Sequence, residues 1–393
     1  MRKKKIVMIS PEYVKNFQVG GLGKVTELML KGLREKEVRV KLVAPKSNIY
    51  GRLGDRTTEV NNRILGRRAA EICQRWQPEW LWVHDWGGVW AAEEVIKKWP
   101  KIKVVWTIHS PMTKAGRGYD SYGDESDTSG EEIDWGNDFF DFGALVRRGL
   151  GLARRVTTVS LSFGKKIGRG ENFNKTEVVG INNGIDLADW QRDEEDFYLF
   201  KRKAKVKLQT LANLPRREVP VLVWVSRMAS QKGLELLIEV LPKFLAKNEA
   251  QIVFLGEGEK KWKGKLKALE KKYGDKLVVW WKADFELPKV IMAGADYLVL
   301  PSREEPFGLV VAEAKRLGAV PIVNLVDGLK DQVKDEISGL GMKRYSQEEL
   351  VVKLEEAVRR WNSEWIWRVR GRNVNQVEGY GGMVKSYLAV LDD

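Results

Sequence analysis

Short apolar runs alternate with amphipathic stretches from one end of the chain to the other. Such runs, separated by helical stretches, are typical of parallel strands that helices cover on both faces. They form two series, one in each half of the chain. The first series covers residues 5–9, 38–43, 80–83, 103–108, 156–159 and 178–181, and the second covers 221–225, 251–255, 277–280, 297–300 and 320–323. The pattern predicts two doubly wound α/β domains.

A charged segment, residues 189–218, separates the two series, and Pro215 and Pro220 lie at its end. Exposed charged segments with proline are typical of domain boundaries. We therefore expect an N-terminal domain over residues 1–200 and a C-terminal domain over residues 201–365. Ligands of doubly wound sheets bind beyond the carboxyl ends of the strands, so the residues that follow strands are the candidates for chemistry.

Composition agrees with an intracellular globular protein of two domains. A chain of 393 residues is too long for one ordinary core, and 43% hydrophobic residues argue against disorder. The single cysteine, Cys73, excludes an internal disulfide framework and fits a reducing compartment. The apolar run in MRKKKIVMIS is too short for a secretion signal, and no stretch approaches the ~20 apolar residues of a membrane span. We expect a cytoplasmic protein without a membrane partner.

The net charge of +14 raises the question of a nucleic-acid partner. In the densest lysine run, residues 259–276, the apolar residues recur at helical spacing, so the lysines form the solvated face of an amphipathic helix. We therefore do not expect nucleic acid to bind there, and the remaining positive charge favours an anionic substrate. The acidic stretch 120–143 has irregular carboxylate spacing, which predicts a solvated loop rather than a metal site.

The only two histidines, His84 and His109, each follow an apolar strand. Both therefore lie where this fold builds its sites. Further ligands at zinc spacing and a Gly-X-Ser-X-Gly turn are both missing from the sequence. Gly20 and Gly21 form a turn before a helix, where a backbone can approach a ligand closely, although a tight turn without a ligand is an equal interpretation.

The second half of the chain carries charged residues after two strands. Arg227 and Lys232 lie in one strand-to-helix loop, and two fixed cations at this spacing can hold a diphosphate. Glu305 follows another strand, and its carboxylate can accept hydrogen bonds from sugar hydroxyls. The N–H groups of Gly308 and Leu309 begin a helix and can meet a phosphate.

Six segments of the chain resemble, in order, motifs of the glycogen and starch synthases. They are SPEY…VGGLG, HDW, TIHS, NNGIDLADW, SRMASQKGLELL and E-PFGL-VVAEA, and they span nearly the whole sequence. The resemblance implies a GT-B fold, in which two Rossmann-like domains face each other across a cleft. It also implies retaining transfer of glucose from ADP- or UDP-glucose to the non-reducing end of an α-1,4-glucan.

The resemblance further implies roles for individual residues. Arg227 and Lys232 match the residues that bind the donor pyrophosphate. Glu305 matches the essential glutamate beside the donor sugar, and Glu313 matches the glutamate that holds the nucleotide ribose. His109 matches the histidine beside the transferred glucose.

His84 and Asp85 match the family's His-Asp-Trp segment, which lines the acceptor side. Asn183 matches the asparagine of the family's Asn-Gly-Ile-Asp segment, which lies near the linker. Residues 366–393 match a last helix that crosses back to the first domain. The chain contains no Asp-X-Asp, the motif by which other glycosyltransferases hold a metal. We therefore expect neither a metal nor another cofactor.

The chain departs from the family at two positions. Gln18 stands where the family usually has lysine, and Gly87 replaces the second histidine of an HDWH pattern. The preference between ADP- and UDP-glucose, the acceptor length, the processivity and the oligomeric state stay open.

Three alternative functions remain at this point. One is a retaining GT-B transferase that uses another sugar donor or a small acceptor, and a second is a sugar-nucleotide epimerase on the same scaffold. The third is a non-catalytic binder of glycans or polyanions, suggested by the net charge of +14 and sixteen tryptophans.

Overall fold

The computed structural model describes residues 4–15, 21–46, 57–110, 142–173, 176–258, 260–281 and 286–392. The chain divides into two compact units, the first formed by residues 1–184 with 379–393 and the second by residues 185–378. The divisions expected at residues 200 and 365 therefore differ from the observed ones. Ile185 N donates to Glu378 O at 3.1 Å, so the second unit begins and ends at two adjacent chain segments.

Each unit contains a six-stranded parallel sheet. The strands of the first unit are β1 (Lys5–Ile9), β2 (Arg39–Val43), β3 (Trp80–His84), β4 (Lys103–Ile108), β5 (Arg155–Thr158) and β6 (Val178–Gly180). Those of the second unit are β7 (Val221–Val225), β8 (Gln251–Leu255), β9 (Leu277–Trp280), β10 (Tyr297–Leu300), β11 (Val320–Asn324) and β12 (Leu340–Met342). The strand orders are β2-β1-β3-β4-β5-β6 and β12-β11-β10-β7-β8-β9.

Helices flank both sheets. They are α1 (Gly21–Glu35), α2 (Thr57–Trp76), α3 (Gly87–Lys98), α4 (Phe142–Leu152), α5 (Leu161–Gly168), α6 (Phe197–Leu211), α7 (Leu234–Lys247), α8 (Lys260–Lys272), α9 (Leu287–Gly294), α10 (Leu309–Arg316), α11 (Leu329–Gln332), α12 (Gln347–Arg360), α13 (Glu364–Gln376) and α14 (Tyr380–Asp392). Helix α14 packs against α1, whereas α13 packs against α10, so of these two C-terminal helices α14 belongs to the first unit and α13 to the second.

The central strands explain why the apolar runs are continuous. Strands β3 and β8 are buried along their whole length, because helices cover both faces of each sheet. The two doubly wound parallel sheets predicted from the sequence are confirmed. Only β12 was not predicted, since its Leu-Gly-Met is too short to stand out from its surroundings.

Helix α8 confirms the amphipathic interpretation of the lysine run. Trp262, Leu266 and Leu269 are buried, while lysines such as Lys263 and Lys267 are exposed. The buried side packs against the sheet of the second unit through β9. The lysines therefore form a solvated face, as their spacing predicts.

Some features of the sequence lie outside the described residues. They include Gln18, Gly20 and residues 120–141 of the acidic stretch. Within the described residues, no helix combines the length and the apolar character that crossing a bilayer requires.

Candidate active site

Two charged residues predicted from separate motifs meet in the second unit. Lys232 lies in the loop after β7 and Glu305 in the loop after β10, and these two strands are neighbours in the sheet. The Lys232 Nζ atom lies 2.7 Å from Glu305 Oε2, and Ser302 Oγ donates to the same oxygen at 3.1 Å. The side chains of Lys232 and Glu305 are only 14% and 8% exposed, so solvent screens this ion pair weakly. The structure thus places Lys232, the predicted phosphate-binding group, in direct contact with Glu305, the predicted sugar-binding group.

Gly233 allows the two loops to approach. Its φ of 70° lies in the left-handed region, and a Cβ atom there would lie 1.9 Å from Pro301 O. Any larger residue would therefore push the Lys232 loop away from the end of β10. Around this contact, Arg303 N donates to Gln231 O at 2.9 Å and Gln231 Nε2 donates to Glu304 O at 3.2 Å. The position of Lys232 is fixed by backbone packing.

Arg227 lines a pocket at the carboxyl ends of β7 and β8. The pocket has a volume of about 310 Å³, and its lining residues are Val225, Ser226, Arg227, Leu255, Gly256, Glu257 and Pro288. Gly256 is tightly enclosed, since a Cβ atom there would lie 1.8 Å from Ser226 O. Arg227 and Lys232 thus belong to one loop, with the pocket beside the first and Glu305 beside the second.

The start of helix α10 presents the predicted N–H groups. Gly308 is the N-cap, with φ of 88°, and Leu309 is the first helical residue. Gln332 Nε2 donates to the carbonyl oxygens of Phe307 and, at 3.2 Å, of Gly308. In a trans peptide the N–H points away from the C=O. By holding both carbonyls, Gln332 directs the N–H groups of Gly308 and Leu309 away from itself.

The Glu305 backbone is also held. Its N–H donates to Asp327 Oδ2 at 3.1 Å, and its carbonyl accepts from Gly328 N at 3.0 Å. The sequence carried no signal for Asp327 or Gln332, because neither belongs to a recognised motif. Glu313 lies in α10 and is 5% exposed, and its contact with a ribose stays a prediction.

In the first unit the two histidines are in direct contact. They follow β3 and β4, which are adjacent in the sheet, and His84 Nδ1 lies 2.8 Å from His109 Nε2. His84 is fully buried and stacks on Trp82, with ring centroids 5.8 Å apart and an interplanar angle of 11°. His109 is only partly buried. The sequence placed each histidine at a strand end, and the structure brings them together.

Burial keeps both histidines neutral. It lowers the pKa of His84 from 6.5 to about 3. Burial, together with the nearby His84, lowers the pKa of His109 well below its usual value. Both rings are therefore uncharged at pH 7, because desolvation disfavours the imidazolium form.

Asp85 binds the loop that carries His109. Its Oδ1 atom accepts from the backbone N–H groups of His109 at 3.2 Å and Ser110 at 3.1 Å, and Oδ2 accepts from Ser110 Oγ at 2.7 Å. Burial raises the pKa of the Asp85 carboxyl to about 6, against the lowering effect of these hydrogen bonds. Both oxygens are thus engaged within the protein, and the predicted contact of Asp85 with an acceptor stays a prediction.

The remaining predicted residues lie apart from these contacts. Gly21 is exposed at the start of α1. Asn183, which follows β6, is 5% exposed, and its Oδ1 atom has no hydrogen-bond partner within the described chain. A Cβ atom at Gly87 would lie 2.3 Å from Asn62 Oδ1, so Asn62 fills the space next to this position. This packing explains how the chain accommodates glycine where the HDWH pattern has histidine.

Among the residues that the structure describes, no group of three or more His, Cys, Asp or Glu side chains could hold a metal ion. His84, His109 and Asp85 lie close together, but both Asp85 oxygens are already bonded to the loop that carries His109. Transfer without a metal stays a prediction.

Comparisons with known proteins agree with this arrangement. Residues 19–189 match the family described as Glycosyltransferase Family 4, and residues 211–374 match the family described as Glycosyl transferases group 1. Granule-bound starch synthase 1 of Arabidopsis thaliana is 31% identical over 292 residues, which are 65% of this chain and 46% of that protein. A glycogen synthase of Lacticaseibacillus casei (strain BL23) is 32% identical over 293 residues, 66% of this chain and 59% of that protein. The chain thus spans about half the length of these relatives.

A solved structure shows the same fold over nearly the whole chain. The catalytic domain of starch synthase IV from Arabidopsis thaliana, bound to ADP and acarbose, superposes with a TM-score of 0.80 at 20% identity. The match covers 98% of each chain. The two matched glycosyltransferase families, the relatives and the fold agree with what the ordered motifs predict: this chain has the GT-B fold of glycosyltransferases and is similar to the glycogen and starch synthases.

Proposed function

We propose that this chain is a retaining glucosyltransferase that moves glucose from ADP- or UDP-glucose to the non-reducing end of an α-1,4-glucan. The observation that carries the proposal is the Lys232–Glu305 pair, at 2.7 Å, in the same loop region as Arg227 and its pocket. This pair places a cation that can bind a phosphate next to a carboxylate that can bind a sugar.

In this proposal the leaving diphosphate is stabilised by protein groups. Arg227 and Lys232 neutralise its charge, and the N–H groups of Gly308 and Leu309 donate to its oxygens. Such preorganised donors act most strongly where negative charge develops in the transition state. In this scheme Glu313 holds the ribose, the base occupies the pocket beside Arg227, and Gly20 and Gly21 contact the donor.

The sugar itself is held by uncharged and acidic groups. Glu305 accepts hydrogen bonds from its hydroxyls, and His109 contacts the same sugar. The acceptor hydroxyl attacks from the side that the diphosphate leaves, so configuration is retained without an enzyme nucleophile. His84, Asp85 and Asn183 belong to the acceptor side in this scheme.

The relatives support the choice of substrates. The structurally similar starch synthase IV domain binds ADP and acarbose, and the curated relatives are named glycogen and starch synthases. The nucleoside diphosphate donor and the α-glucan acceptor are carried over to this chain as proposals, and the cytoplasmic location expected from the sequence stays a proposal.

The test is incubation of the purified chain with ADP-glucose or UDP-glucose and a maltooligosaccharide. We expect the oligosaccharide to grow by α-1,4-linked glucose, with the anomeric configuration read by NMR. The Glu305→Gln variant serves as the matched inactive control. Transfer of a different sugar, or transfer only to a small acceptor, would replace the proposal with another retaining transferase.

Two further outcomes would contradict the proposal. A nucleotide sugar that changes configuration without an acceptor would identify an epimerase. No turnover, combined with polyanion binding that collapses as salt rises, would identify a binding protein.

A further inference from the structure

We infer that His84 is a positioning residue that fixes His109 as the tautomer protonated on Nδ1, so that Nδ1–H is the donor that His109 offers to a sugar hydroxyl. The identity of the ligand rests on the proposed function, whereas the tautomer does not. The inference starts from the contact between the two rings.

A hydrogen bond between two imidazole nitrogens requires one donor and one acceptor. The atoms are His84 Nδ1 and His109 Nε2, 2.8 Å apart. Either His84 Nδ1–H donates to a bare His109 Nε2, or His109 Nε2–H donates to a bare His84 Nδ1. Each neutral ring carries one proton, so the choice at this contact fixes the proton on the other nitrogen of both rings.

The second nitrogen of His84 decides between the two arrangements. His84 Nε2 is buried, and it has no hydrogen-bond partner in the described part of the chain. If His84 Nδ1 were the acceptor, the proton of the ring would sit on Nε2 as a buried N–H without an acceptor. Among buried backbone groups, orphaned N–H donors are rarer than under-satisfied acceptors, and we apply the same preference to the imidazole ring of His84. The proton of His84 therefore lies on Nδ1 and points to His109.

His109 must then be bare on Nε2 and protonated on Nδ1. Its backbone is fixed by the 3.2 Å hydrogen bond from its N–H to Asp85 Oδ1. His109 is the more exposed of the two histidine residues, and it is the one that the proposed function places beside the sugar. Two consecutive residues, His84 and Asp85, thus hold the ring and the main chain of His109.

A fixed neutral donor suits glycosyl transfer. Cleavage of a glycosidic bond passes through a transition state in which the sugar ring gains positive charge. An imidazolium beside that sugar would oppose this charge, whereas a neutral N–H orients a hydroxyl without repelling it. The neutrality of His109, which its burial against His84 supports, therefore serves the proposed reaction.

The tautomers can be read directly, because the chain has only two histidines. We would label histidine with ¹⁵N and record ring nitrogen shifts and N–H couplings of the ligand-free protein at pH 7. We expect Nδ1–H on both rings, with both Nε2 atoms bare. A protonated Nε2 on either ring would overturn the inference, whatever the activity assays show.

Two variants of His84 distinguish its effect on the tautomer of His109 from its packing against Trp82. His84→Phe keeps an aromatic ring against Trp82 but donates no hydrogen bond, whereas His84→Asn offers an amide N–H near the position of Nδ1. With Phe, we expect His109 to lose its single tautomer and turnover to fall about 10–100-fold, by analogy with the loss of partners that orient metal-ligating histidines. We expect KM for the nucleotide sugar to change by less than about threefold, since the nucleotide contacts lie elsewhere.

The Asn variant is the matched control for this loss. We expect it to keep the His109 Nδ1–H signal and to turn over about tenfold faster than the Phe variant, because a donor to His109 Nε2 is restored. Equal losses in both variants, or an unchanged His109 tautomer in His84→Phe, would contradict the inference. If a variant fails to fold, the spectrum of the unmodified protein still decides the tautomer. If that protein turns over no nucleotide sugar, the proposed function fails separately.

Discussion

The two groups of polar residues differ in charge but share one principle. In the second unit, Lys232 and Glu305 form a nearly buried ion pair, with Arg227 in the same loop. In the first unit, His84 and His109 form a neutral pair, because burial lowers the pKa of both. Each group is held by its own protein neighbours, as preorganised sites are.

The difference in charge matches the proposed reaction. Cations are useful where a diphosphate leaves with its negative charge, and neutral donors are useful where a sugar becomes positive. A chain with net charge +14 thus keeps its two histidines uncharged while it fixes Lys232 within 2.7 Å of a carboxylate. The contrast predicts that removing a charged group of the second unit lowers kcat more than the other changes considered below.

The largest expected effect comes from breaking the ion pair. Lys232→Met and Glu305→Gln should each lower kcat by about 10²–10³-fold, by analogy with preorganised charge-stabilising groups, because Lys232 neutralises the leaving diphosphate and Glu305 holds the sugar in the proposed function. The assay is glucosyl transfer under saturating donor. Lys276→Met is the matched control, since Lys276 is ion-paired with Glu249 at 2.8 Å but precedes β9, at the opposite end of the sheet. Near-normal transfer by Glu305→Gln would remove Glu305 from the mechanism.

The neutral pair should make the protein sensitive to acid. The unfolded histidine binds a proton below about pH 6.5, whereas folded His84 does so only near pH 3, so the unfolded state takes up more protons in between. The contribution of neutral His84 to the free energy of unfolding is therefore fully present above pH 6.5 and is lost as the pH falls. For His84 alone, the free energy of unfolding should drop by about 2 kcal/mol between pH 7 and pH 5.

Asp85 acts in the opposite direction. Its folded pKa of about 6 lies above the unfolded value, so the folded state takes up its proton first and part of the loss is offset. Urea titrations at pH 7 and pH 5 measure the net change in the free energy of unfolding, to which the histidines and Asp85 contribute with opposite signs. The double variant His84→Phe/His109→Phe should show a smaller loss on acidification than the unmodified chain. An equal loss in both would show that the histidines are not neutral in the folded state.

Residues within ordered motifs at strand ends could be predicted from the sequence. Arg227, Lys232 and Glu305 each follow an apolar strand, and the neighbouring positions of β7 and β10 bring the last two together. The sequence also placed His84 and His109 at strand ends, but it did not predict their direct contact, because the order of strands is a tertiary property. Gln332 and Asp327 were missed for the same reason, since they act only through packing of α11 against the Glu305 loop.

The domain boundary shows where composition misleads. Residues 189–218 are highly charged, which favours an exposed linker, yet α6 within this segment packs against α9. Lys201 is buried, and its ammonium donates to the carbonyl oxygens of Ala293 and, at 2.7 Å, of Ala295. A charged residue that finds such partners can be buried. Charge density alone therefore does not separate a linker from a packed helix.

A smaller effect should come from Gln332, which holds the peptide groups at the start of α10. Gln332→Leu should weaken binding of ADP or UDP by about tenfold, because the N–H groups of Gly308 and Leu309 lose their fixed direction. Binding of the nucleoside monophosphate should change much less, since the pocket beside Arg227 is untouched. Calorimetric titrations with the nucleoside diphosphate and the monophosphate measure how much each dissociation constant changes.

Gln347→Leu is the control for Gln332→Leu. Gln347 starts α12 and donates to Glu239 at 2.7 Å, and it contacts neither Phe307 nor Gly308. Equal weakening of mono- and diphosphate binding in Gln332→Leu would indicate a general disturbance of the loop instead of misdirected N–H groups.

The smallest expected effect is that of removing metal. In the proposed function, the charge of the diphosphate is neutralised by Arg227, Lys232 and the start of α10, so we predict that neutralisation does not depend on a divalent ion. EDTA or added Mg²⁺ should therefore change kcat by less than about twofold, whereas a metal-dependent transferase loses several kcal/mol of charge stabilisation with its ion. The assay is glucosyl transfer by protein dialysed against chelator, with ADP-glucose and UDP-glucose in parallel. Activity that vanishes with EDTA and returns with Mg²⁺ would mean that Arg227 and Lys232 do not suffice, and the contrast between a cationic donor loop and a neutral histidine pair would lose its mechanistic basis.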